Sequence, residues 1–64
     1  MSTYDTIKKM IDDADFEKSL LYRLAIITKA IKNGEANDEI TSVQAGELWY
    51  KLMHAAHEAE KLEA

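Results

Sequence analysis

The chain has 64 residues, with 8 Lys and Arg against 12 Asp and Glu, a formal net charge of −4, and neither Cys nor Pro. These figures exclude a disulfide framework and a Cys-based zinc site, and they set one domain as the ceiling. An apolar fraction of 47% with only two Gly argues against a disordered tail and against a turn-rich all-β chain.

The spacing predicts a helix over residues 3–32. With Ile7 at heptad position a, the a positions are Ile7, Ala14, Leu21 and Thr28, and the d positions are Met10, Glu17, Leu24 and Ile31. That is an apolar stripe of helical width. Ser2 or Thr3 can cap its start, and Asn33-Gly34 is the expected stop. The weak stretch is Asp12-Asp13-Ala14-Asp15-Phe16-Glu17, because Asp suits a cap better than a helix interior. On one long helix Phe16 points away from the stripe. A break near residues 13–15 is the alternative, giving a three-helix monomer.

Residues 33–40 read as a loop of ordinary helix–helix length. The second helix is expected over about 41–63. Thr41 and Gln44 fit a capping box, with Ile40 and Ala45 as a hydrophobic staple. Its stripe runs Ala45, Leu48, Leu52, Ala55, Ala59 and Leu62, widened by Trp49, Met53 and Ala56. Gly46 costs about 1 kcal/mol against Ala inside a helix, and close approach of the other helix is the expected compensation.

The expected fold is therefore all-α, an antiparallel helical hairpin in one domain. Residues 20–31 are apolar nearly all round, and such a helix is buried all round. Below about 70–80 residues one core rarely supplies more than ~3–5 kcal/mol. Both points lead to a homodimer, most simply a four-helix bundle. The longest apolar run is four residues, Leu24–Ile27, against ~20 for a membrane span. A cytoplasmic protein is expected.

Few residues look chemical. His54 and His57 lie three apart on one helix face, with Glu58 beside them, so both imidazoles could reach one metal ion. The zincin spacing is different, and the bland reading is a pair of surface histidines. With no phosphate loop, no Cys nucleophile and little room for a shaped pocket, neither catalysis nor a cofactor is expected. The lysines are scattered and there is one Arg, which disfavours direct nucleic-acid binding.

The acidic residues are more informative. On a hairpin turning near residue 37, residues 12–18 neighbour the C-terminal end. Asp12, Asp13, Asp15, Glu17, Glu58, Glu60 and Glu63 then share one end with Lys18 and Lys61, a local charge of −5. Such an end keeps a chain soluble, or it docks a basic protein groove. Phe16, Tyr22, Ile26, Trp49 and Tyr50 are candidate anchors for a partner or for the dimer. The expected function is a small protein-binding regulator or inhibitor that occludes a macromolecular partner. One form is a DNA mimic or a phage or mobile-element protein directed at host nucleic-acid machinery. A structural bundle adaptor and a metal-responsive dimer using His54 and His57 are the alternatives.

Overall fold

The computed structural model describes residues 2–16 and 18–63, the last two by their backbone alone. Three helices and no strand occur among them: α1 spans Thr3–Asp13, α2 Leu20–Ala36 and α3 Ser42–Glu63. The single first helix over residues 3–32 is thus replaced by two, and the hairpin by a three-helix arrangement.

Helix α1 starts where Ser2 Oγ accepts from the Asp5 backbone N–H at 3.1 Å. It stops at Ala14, which takes extended backbone at φ −71°, ψ 133°. Asp12 and Asp13 face the negative end of the helix dipole and give the last turn no support. The larger cause is Phe16. A continuous helix would set it half a turn from the Ile7–Ile11 stripe. Leaving the helix lets it turn inward, where it is 6% exposed. Burying a Phe side chain contributes about 1.5–3 kcal/mol, which outweighs the few helical bonds given up. Phe16 is therefore a core residue and not an exposed anchor.

Helix α2 also passes its expected stop. Asn33 and Gly34 are helical, and the helix ends at Ala36. The Glu39 N–H donates to the Gly34 carbonyl at 2.8 Å, and the Asp38 N–H donates to the Glu35 carbonyl at 3.1 Å. These two bonds make a Schellman cap. Its left-handed position is filled by Asp38 at φ 58°, where glycine is the usual occupant. Gly34 serves another purpose. A Cβ there would stand 3.4 Å from Ile40 and from Thr3, so its bareness lets the loop and the start of α1 settle onto α2.

The capping box of α3 forms on both sides. Thr41 N–H donates to Gln44 Oε1 at 3.0 Å, and Gln44 N–H donates to Thr41 Oγ1 at 3.1 Å. Ile40 and Ala45 are both buried, as a staple requires.

The helices run down, up and down, so α1 lies parallel to α3. Thr3 Oγ1 donates to Glu39 at 2.7 Å, Tyr4 Oη donates to Glu47 at 2.8 Å, and Lys51 Nζ lies 2.6 Å from Asp12. These contacts make α1 parallel to α3 in place of the antiparallel hairpin, while Asp12, Asp15 and Phe16 still neighbour the stretch from Lys51 to Ala59. Ile7, Ile11, Phe16, Ile27, Ile31, Ile40, Ala45, Leu48, Leu52 and Ala59 form the core, and no polar or charged residue is buried among the described residues. The body is a rod of 37 × 18 × 17 Å. It exposes 4515 Å², slightly more than the roughly 4200 Å² of a monomer of its mass.

Candidate protein-binding faces

Three helices packed side by side leave three surface grooves, and each receives a different share of the candidate residues. The groove between α1 and α3 has a volume of about 400 Å³ and is lined by Asp12, Asp15, Lys51, His54 and Glu58 over Phe16, Ala55 and Ala59. Asp12 is paired with Lys51, and Glu58 stands 3.8 Å from Lys61. Both pairs are exposed to solvent, so each is worth about 0–1 kcal/mol.

A smaller groove between α1 and α2, about 210 Å³, holds Met10, Asp13, Arg23, Ile26 and Ile27. Arg23 Nε is buried there without a hydrogen-bond partner among the described residues. Its aliphatic stem covers apolar surface, as long cationic side chains commonly do.

The third groove is the largest, about 690 Å³, and no residue of α1 lines it. Leu24 and Thr28 form one wall. Trp49, Tyr50, Met53, Ala56, His57 and Glu60 form the other. Leu21 stands one turn before Leu24 on α2 and does not itself line the groove. This is the side of the α2–α3 layer that α1 does not cover. Leu21 is 83% exposed, Tyr50 75% and Met53 68%. At about 200 Å² for a fully exposed large side chain, these three leave on the order of 450 Å² of largely apolar surface open. The largest apolar patch on an ordinary monomer spans about 300–600 Å² and is often functional.

The five acidic candidates among the described side chains line three different grooves. Asp12, Asp15 and Glu58 share the α1–α3 groove, Asp13 lies in the α1–α2 groove, and Glu60 is on the α2–α3 face. Glu17 and the Glu63 side chain lie outside the described residues. The anchors divide too. Trp49 is half-buried and Tyr50 exposed on the α2–α3 face, Ile26 borders the α1–α2 groove, and Tyr22 is exposed on the outer side of α2. Leu21, placed in the apolar seam by its heptad position, is instead open to solvent in the single copy. Gly46 has nothing within 4 Å of where its Cβ would stand, so the close helix approach expected there is absent.

His54 and His57 both border the α2–α3 groove. Tyr50 stacks on His54 with ring centroids 6.4 Å apart and an interplanar angle of 29°. No three His, Cys, Asp or Glu side chains come together to hold a metal ion among the described residues. None of the described helices is long and apolar enough to cross a membrane.

Tyr4 is the one described group with a resolved titration shift. The hydrogen bond to Glu47, then partial desolvation, then the charges of Glu47 and Asp5 hold its phenol above the ordinary 10.0. It lies on the opposite side of the rod from the apolar face and serves to pin α1. The apolar face was the feature that residue spacing missed. Its signal was present in the breadth of the apolar surface of residues 20–31. Comparison with protein-family models, with curated proteins and with solved structures finds no match to this chain.

Proposed function

We propose that this chain is a non-enzymatic, protein-binding regulator or inhibitor that occludes a macromolecular partner through the face between α2 and α3. The observation carrying this reading is the uncovered apolar surface of Tyr50 and Met53, set in a groove about 690 Å³ in volume, with Leu21 exposed one turn before the groove's Leu24. A small domain with a marginal core leaves large apolar side chains in water at a cost in solubility, and a binding partner removes that cost. Trp49 and Tyr50 are of the residue types that dominate binding energy.

Net charge sets the sign of the partner. With a formal charge of −4, the chain favours approach to a basic surface, through long-range steering that salt weakens. The described carboxylates line three grooves, with Asp12, Asp15 and Glu58 sharing one of them, so steering is not confined to the apolar face. A protein partner with a basic rim around an apolar centre fits this surface better than one recognised through a DNA-like row of charges.

Site-specific photo-crosslinking tests the proposal. A benzoylphenylalanine at Met53, on the apolar face, is compared with one at Lys9, on exposed α1, in the native cells. The expected result is a discrete protein adduct from position 53 and none from position 9, with the yield falling as salt is raised in the purified pair. No adduct from position 53 overturns the reading.

A further inference from the structure

We infer that the groove between α1 and α3 receives an arginine side chain of a basic protein partner, its aliphatic stem over Phe16, Ala55 and Ala59 and its guanidinium between Asp15 and Glu58. The inference rests on the reading of this chain as a binder of a basic protein, and it names the contact that recognises the charge.

The shape comes first. The groove holds about 400 Å³, and its floor is apolar, with Ile11, Phe16 and Ala59 buried beneath it. Carboxylates stand on both walls. Asp12 and Asp15 come from the end of α1 and the turn after it, and Glu58 comes from α3. An apolar trough with an anionic rim matches a side chain that is aliphatic along its length and cationic at its tip. The chain already supplies one example. Lys51 lines the same groove with its side chain only 36% exposed, and its ammonium is 2.6 Å from Asp12.

That internal pair leaves the rest of the rim unneutralised. Asp15 forms no ion pair among the described residues, and Glu58 meets Lys61 only at 3.8 Å. Helix polarity adds to the negative potential. Asp12 and Asp13 occupy the last turn of α1, where the backbone carbonyls carry negative partial charge, and no basic residue offsets them there. In the free chain this end of α1 repels its own carboxylates. A cation arriving from outside removes that repulsion. Solubility alone gives no reason to set carboxylates at the helix end that they destabilise.

The kind of cation follows from the spacing. No three His, Cys, Asp or Glu side chains converge among the described residues, so a bare metal ion finds no cage. A guanidinium suits separated carboxylates, since its five N–H donors fan out in one plane and reach acceptors on both walls. A lysine ammonium is a compact point charge that favours one wall.

Titration of the isotopically labelled full chain with the peptide acetyl-Ala-Ala-Arg-Ala-Ala-amide tests this, followed by nitrogen–proton correlation spectra at low salt. The control peptide carries citrulline, the neutral isostere, in place of arginine. Saturable shifts are expected at the backbone amides of Phe16, Ala55 and Ala59, with the citrulline peptide about tenfold weaker. Asp15→Asn and Glu58→Gln are each expected to weaken the arginine peptide by about two- to fivefold without loss of helicity, and added salt to weaken wild-type binding. Equal affinity for the two peptides, shifts centred on another groove, or variants that bind as tightly as wild type overturn the proposed site. An arginine peptide that binds nowhere, with a protein adduct still formed from position 53, overturns this groove alone. The same silence without an adduct overturns the protein-binding reading as well.

Discussion

Replacing Phe16 by Ala separates the two ways this sequence could fold. On a continuous helix Phe16 faces solvent, and Ala, the better helix former, would raise stability by a few tenths of a kcal/mol. In the three-helix fold Phe16 is 6% exposed and packs with Ile11, Ala55 and Ala59 at the α1–α3 groove. Phe→Ala in a core costs about 3–5 kcal/mol. The adjoining groove of about 400 Å³ is open to water, which softens the cavity cost and places the loss near 3 kcal/mol. That approaches the whole stability of a domain this small, about 3–5 kcal/mol. Urea denaturation followed at 222 nm is the assay, and the thermal midpoint should fall by more than about 12 °C. Should Phe16→Ala unfold the chain outright, Phe16→Leu gives a measurable loss of about 1 kcal/mol. A neutral or stabilising Phe16→Ala would refute the buried position and restore the long helix.

Gly46→Ala should stabilise the fold by about 1 kcal/mol, since no atom stands near the new methyl. A loss in the urea midpoint would mean that another chain approaches closely there. Asp38→Gly should stabilise by about 0.5–1 kcal/mol by relieving a non-glycine residue at φ 58°, and no gain in thermal midpoint would count against the Schellman cap. Tyr4→Phe tests the tie between α1 and α3 by its pH dependence. The folded phenol titrates above its ordinary 10.0, so its contribution is full below pH 10 and lost as pH rises through the folded value. Wild type should be the more stable at neutral pH and lose that margin as pH rises above 10.0 through the folded value. A margin unchanged over that range would show that the Glu47 bond does not contribute.

Local chemistry was readable wherever one residue type had one use. The Thr41–Gln44 capping box and the Ser2 cap form as their side chains allow. All-helical architecture followed from apolar spacing and the lack of Pro. What could not be read was the competition inside residues 12–19. The absence of Gly and Pro from this stretch favoured continuity, although Glu17 and Lys18 interrupt the apolar stripe. Burial of Phe16 depends on Ala55 and Ala59, about forty residues away, and no local pattern contains it. The stop of α2 failed for a similar reason. Gly34 was read as a cap because glycine tolerates left-handed backbone, yet its use is steric, under Ile40 and Thr3. The cap went to Asp38, whose short polar side chain tolerates that backbone.

The break after Asp13 also decides the surface. A hairpin would have gathered seven carboxylates at one end and left charge as the main feature of the molecule. Folding α1 back parallel to α3 ties Asp12 to Lys51 and sets Asp13 in a different groove from Asp12, Asp15 and Glu58. The same movement covers one side of the α2–α3 layer and leaves the other bare. α1 is 11 residues long, enough to shield one groove pair and no more. The chain therefore keeps an apolar face open, because a third helix can satisfy only one side of a two-helix layer. What remains on the other side is an unfinished core, with Tyr50 and Met53 exposed along it.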